Sequence, residues 1–115
     1  MGSILLLEDD PGQLTIRKLI LEHAGHQVRT AASVADAIDE GACDAIVCDV
    51  IVMDVVPGWD TLLASIPAST HLVVLSGKQM VNEQLTARSA CVLRKPCPSR
   101  TLLETIVRLR HEHHG

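Results

Sequence analysis

The sequence predicts an α/β domain in which one parallel sheet carries helices on both faces. The first observation is a set of short apolar runs, Ser3–Leu7, Cys43–Asp49, Leu72–Leu75 and Cys91–Leu93. They are too short for helices and too evenly apolar for strands with one wet face, so they suit strands buried on both sides. The second is the helical spacing of apolar residues between them, as in Leu14, Ile20 and Leu21, or Leu102, Ile106 and Leu109. The third is the regular alternation of the two patterns, which calls for right-handed crossovers in a parallel sheet. A chain of 115 residues, 47% hydrophobic and 21% charged, fits one globular domain with one sizeable core.

Ser3–Leu7 is the first expected strand, and it runs straight into Glu8-Asp9-Asp10-Pro11. Asp10 before Pro11 is a helix start: a side chain that caps free amides, then a proline whose φ suits the first turn. The helix is expected over Pro11 to Ala24, with Leu14 and Leu21 as its stripe, Ile16, Leu19 and Ile20 widening it, and Gly25 as a left-handed cap. His23 and His26 flank that end and complement its dipole. Gln27–Ala31 reads as the second strand, and Ser33 caps a short helix ending near Gly41. Cys43–Asp49 is the expected third strand. Pro57-Gly58 marks a turn, after which Asp60 or Thr61 starts a brief helix that stops before Pro67. Leu72–Leu75 ends in Ser76-Gly77, Met80 to Arg88 is weakly helical, and Cys91–Leu93 is followed by Arg94-Lys95-Pro96. The last helix carries Leu102 through Leu109 and frays into histidines.

Composition excludes several classes of function. A formal charge of -4 with scattered Lys and Arg gives no basic footprint for nucleic acid. No apolar run reaches membrane-spanning length, and the amino terminus lacks signal-peptide features. Cys43, Cys48, Cys91 and Cys97 form no C-x-x-C pair and read as reduced, near-core thiols of a cytoplasmic protein.

Side by side, the expected strands deliver Glu8, Asp9, Asp49, Ser76 and Lys95 to one edge of the sheet. Ligands in open α/β sheets bind outside the carboxyl ends of the strands. Converging carboxylates raise one another's pKa unless something positive sits among them. Open oxygen ligands of this kind suit Mg²⁺, which keeps waters and binds through one or two carboxylates plus phosphate oxygens. Lys95 adds a second positive charge and Ser76 a hydroxyl donor, an assembly suited to a phosphoryl group on a carboxylate.

With these motifs in order (the acidic pair in Leu6-Leu7-Glu8-Asp9-Asp10-Pro11, an Asp ending strand three, Ser76-Gly77 and Lys95-Pro96), the chain resembles the receiver domain of two-component response regulators over nearly its whole length. The resemblance implies a flavodoxin-like (βα)5 sheet of order 2-1-3-4-5, read here as one receiver domain over residues 1–115 with no output domain. It implies a phosphoacceptor rather than a conventional enzyme, phosphorylated with Mg²⁺ assistance by a sensor histidine kinase or histidine phosphotransfer protein. The phosphorylated form then switches a downstream protein partner or a missing output domain. By the same resemblance Asp9 binds the metal directly, Glu8 mainly through water, and Asp49 accepts the phosphoryl group. The backbone carbonyl of Ile51 completes the metal site, Ser76 closes over the phosphoryl group, and Lys95 pairs with it.

Two aspartates compete for the acceptor position. Asp54 has its own apolar lead, Val50-Ile51-Val52-Met53, but leaves a short connection before Ser76. Asp49 leaves room for a loop, a helix and a strand, and that spacing favours Asp49 with a long, atypical loop after it. Two departures from the family pattern follow. Ile51, two past Asp49, is apolar where many receivers carry a polar side chain near the attacking water, which predicts slow self-dephosphorylation. Val92, three before Lys95, replaces the usual switch aromatic. The apolar stretch Val50–Val56 reads either as loop packing on Trp59 or as a partner or dimer patch. Asp10 and Asp60 read as helix caps rather than ligands. Two other functions remain: a receiver-like scaffold that binds partners without phosphorylation, and a haloacid-dehalogenase-type phosphohydrolase. The latter needs an acid two residues after its nucleophile, where Asp49 has Ile51 and Asp54 has Val56.

Overall fold

The computed structural model describes residues 3–39, 48–67, 69–77 and 83–114. Its strands are β1 (Ser3–Leu7), β2 (Val28–Ala31), β3 (Cys48–Asp54), β4 (His71–Ser76) and β5 (Cys91–Arg94). Its helices are α1 (Pro11–His23), α2 (Val34–Asp39), α3 (Trp59–Ser65), α4 (Glu83–Arg88) and α5 (Ser99–His114). All strand pairs are parallel, in the order β2-β1-β3-β4-β5. This is the flavodoxin-like arrangement expected.

Side-chain alternation splits each central strand between two cores. Leu5, Leu7, Ile51, Met53, Leu72 and Val74 face Val34 and Ala37 of α2, Leu62 of α3 and Leu85 of α4. Ile4, Leu6, Val50, Val52, Val73 and Leu75 face Leu21 of α1 and Leu102, Ile106 and Leu109 of α5. On α1 the capping works as its sequence suggests: Asp10 Oδ1 accepts from the Gly12 and Gln13 amides at 2.9 and 3.3 Å. Gly25, at φ +95°, ends the turn. The apolar face of α1 is narrower than expected, because Ile16 and Leu19 are exposed and Leu21 is its one fully buried residue. Asp60 does not cap α3; Gly58 does so without a side-chain bond, and Asp60 lies in the first turn.

The third strand corrects the sequence-based expectation. It runs from Cys48 to Asp54, so Asp49 is its second residue and Asp54 its last. The rest of the expected Cys43–Asp49 strand, with Cys43, lies outside the described residues. Burial explains the shift. Val50, Ile51, Val52 and Met53 are all fully buried, and ending the strand at Asp49 would put them in a loop. Each such side chain stabilises the fold by about 1.5–3 kcal/mol. Doubling a loop length changes closure entropy by only about 0.6 kcal/mol, so loop spacing could not decide the register. The connection after Asp54 stays short because Gly58, at φ +85°, turns the chain directly into Trp59 and α3. Val50–Val56 is therefore a core strand and its exit rather than a surface loop, and its buried residues are not a partner or dimer patch.

At the amino edge of the sheet Asp49 has a structural partner. Helices run back against the strands, so the last turns of α5 return to that edge. There Arg110 holds Asp49 with two bonds, Nε to Oδ2 at 3.0 Å and Nη2 to Oδ1 at 2.9 Å. Its third nitrogen lies 2.7 Å from His26 Nδ1. Burial, then the Arg110 charge, push the His26 pKa below its ordinary 6.5, with Asp49 opposing. Between the lowered value and 6.5 the unfolded chain holds a proton that the folded chain does not. Stability from this site is therefore complete above pH 6.5 and is lost as pH falls through that window. Urea unfolding at pH 7.5 and 5.5 should show a larger acid loss for the wild type than for His26→Gln; equal losses would contradict this.

Candidate functional site

The ladder brings the carboxyl ends of the central strands level. Leu7 pairs with Met53, Asp54 with Leu75, and Ser76 with Arg94, so Glu8, Asp54, Ser76 and Lys95 emerge along one edge. Carboxylate oxygens of Glu8, Asp9 and Asp54 lie within 4.8 Å of one another. Lys95 Nζ lies 2.6 Å from Asp54 Oδ2 and 3.9 Å from Glu8 Oε2. Lys95 is held there by its own backbone, whose N–H donates to the Ser76 carbonyl at 2.8 Å. The Lys95–Pro96 bond is cis. Ser76 is buried at the end of β4.

The three carboxylates sit in different surroundings. Asp9 is exposed. Asp54 is mostly buried, its Oδ1 accepting from the Val55 amide at 3.2 Å. Glu8 is almost wholly buried; its Oε1 accepts from the Asp10 amide at 3.1 Å, and its Oε2 is paired with the Arg17 guanidinium. Burial is the largest influence on the Glu8 carboxyl and pushes its pKa up, the Asp10 amide pulls it back, Asp54 raises it again, and Lys95 lowers it. Hard oxygen donors gathered around partly open space fit Mg²⁺. A cleft of about 440 Å³ lined by Gln13, Arg17, Lys95, Pro96 and Cys97 opens beside the cluster.

Four residues expected at this edge, Glu8, Asp9, Ser76 and Lys95, arrive there. Asp49 and Ile51 do not. Asp49 is at the opposite end of β3 on Arg110, and Ile51 is mid-strand, paired with Leu5 and Leu72, with no route to the edge. Asp54 stands where Asp49 was expected. Two residues past it, Val56 is buried in the core, so the second acid of a dehalogenase-type hydrolase is missing there. Val92 packs against the same core. Cys91 and Cys97 are free thiols, and burial pushes that of Cys97 up.

Arg17 was missed by sequence reasoning. Its signal was positional: it falls between Leu14 and Leu21 on the inward stripe of α1, where a charge needs a buried partner. Arg110 carried no comparable signal, because its partner lies 61 residues away in sequence.

No family model and no curated protein sequence matches this chain. Solved structures do. A CheY-like receiver domain protein from Methanospirillum hungatei JF-1 superposes with a TM-score of 0.83 at 23% identity, over 99% of this chain and 97% of that one. A receiver domain from Clostridium thermocellum gives 0.76 at 25% identity over 89% and 88%. The receiver domain of the hybrid histidine kinase CckA gives 0.76 at 25% over 93% and 97%. The chain therefore has the fold of CheY-like response-regulator receiver domains. Among the described residues no helix is long and apolar enough to cross a membrane.

Proposed function

We propose that this protein is a phosphoacceptor switch of two-component signalling, working in the cytoplasm, with Asp54 as the acceptor. The observation that carries the reading is the Lys95 ammonium 2.6 Å from Asp54 Oδ2, beside Glu8 and Asp9 at the carboxyl edge of the sheet. A structural ion pair alone does not need two further carboxylates gathered around it.

In this reading an Asp54 oxygen attacks the phosphorus of a phosphohistidine on a sensor kinase or phosphotransfer protein. The new bond is P–O, the broken bond is P–N, and the imidazole leaves with a proton. Glu8, Asp9 and Asp54 would hold Mg²⁺, which supplies charge neutralisation for the transferring group. The position assigned to the Ile51 carbonyl passes to that of Val56, two past Asp54. Lys95 moves its charge from the carboxylate to the phosphoryl oxygens, and the Ser76 hydroxyl donates to them. The resulting shift at the β4 and β5 ends alters the surface offered to a downstream partner. With Val92 in place of an aromatic, no ring rotamer carries that signal.

The test is incubation with acetyl phosphate and Mg²⁺, followed by intact-mass measurement. One phosphoryl group should be gained, and EDTA should prevent it. No gain at any Mg²⁺ concentration would favour the scaffold reading. The buried, apolar Val56 cannot orient water, so the label should persist for minutes or longer after the donor is removed. A half-life of seconds would contradict that assignment.

A further inference from the structure

We propose that Arg17 is a resident counter-cation of the acidic site, occupying Glu8 in the metal-free protein and setting the divalent-cation concentration at which the site fills. The proposal rests on the reading of Glu8, Asp9 and Asp54 as a divalent-cation site.

Glu8 offers two carboxylate oxygens. One accepts from the Asp10 amide and the other is held by the Arg17 guanidinium, so both are engaged by donors of the chain itself. Glu8 is 1% exposed and Arg17 15%, so water screens this pair weakly. Lys95 spends its closest contact on Asp54 and stands 3.9 Å from Glu8. Arg17 is therefore the principal counter-charge of Glu8. A divalent ion that draws on the same oxygen, directly or through a water, must displace a charge-assisted hydrogen bond in a partly dry setting. Arg17 has somewhere to go: it also lines the open cleft beside Lys95 and Pro96. An exchange of one cation for another follows, in which the arginine leaves the carboxylate as the ion arrives. Its consequence is a weaker apparent affinity for Mg²⁺ and a metal-free site that is not left with an unpaired buried carboxylate.

The experiment is an NMR titration of the intact chain with Mg²⁺ alone, following backbone amides and the Arg17 Nε–H signal, for wild type, Arg17→Gln and Lys18→Gln. Lys18 is the control because it carries the same charge one residue on but pairs with Glu22, at 3.2 Å. Arg17→Gln should bind Mg²⁺ about tenfold more tightly than wild type, the scale of one charge-assisted bond. Lys18→Gln should stay within about twofold, as expected of a screened surface charge. In the wild type the Arg17 signal should move along the same binding curve as the amides. If Arg17→Gln does not fold, that wild-type signal decides. Equal affinities for wild type and Arg17→Gln, equal shifts for the two variants, or an Arg17 signal that stays still through saturation would each overturn the proposal while leaving the metal site intact. No Mg²⁺ binding in any of the three proteins would overturn both the proposal and the site reading beneath it.

Discussion

Asp54→Asn should abolish phosphoryl labelling by a small phosphodonor, a loss of at least about a hundredfold in rate, because it removes the attacking oxygen itself. Asp49→Asn should label at close to the wild-type rate and show its effect in stability instead. Arg110 would lose a two-point partner at the amino edge of the sheet. The cost should be about 1 kcal/mol, a modest figure because Asp49 is 34% exposed and water screens the pair. Measured together, labelling and urea unfolding should separate the two aspartates cleanly: one variant inert and folded, the other active and softened. Labelling that survives in Asp54→Asn and vanishes in Asp49→Asn would reverse the assignment.

Lys95→Met should slow labelling at saturating Mg²⁺ by about a hundredfold, the usual scale for removing one preorganised charge from a site where negative charge develops. Saturation matters because removing Lys95 also strips a cation from three clustered carboxylates, which should tighten Mg²⁺ binding. A rate measured at low Mg²⁺ would mix the two effects. If saturated labelling falls less than about threefold, the 2.6 Å contact between Lys95 and Asp54 is structural, and the phosphoryl group takes its charge stabilisation elsewhere.

Much of this architecture was legible from residue order. Ser3–Leu7 and Leu72–Leu75 are central strands because nothing in them tolerates water on either face, and both lie where their apolar runs fall. Asp10-Pro11 started α1 because capping and a fixed φ are local properties, needing no tertiary information. Glu8, Asp9, Ser76 and Lys95 could be placed at the carboxyl edge for the same reason: each stands at or just past the end of a strand that its own apolar run marks. Asp54 was harder. Two apolar runs, each closed by an aspartate, lie end to end; loop spacing favoured the first, whereas β3 ends at the second. The register was settled by nonlocal burial, with Leu5 and Leu72 flanking Ile51 on either side, a contact that no window of sequence contains. The same limit hid the Arg110–Asp49 pair, which depends on α5 running back to the amino edge. Asp60 failed as a cap because Gly58, at positive φ, starts α3 before it.

We propose above that Asp54, the acid at the carboxyl end of β3, takes the phosphoryl group. The most direct test is to label the wild-type protein with acetyl phosphate and Mg²⁺, trap the acyl phosphate by borohydride reduction, and map the modified residue by peptide mass sequencing. A single reduced residue is expected, at Asp54. Reduction at Asp49, or at any other carboxylate with Asp54 intact, would contradict it.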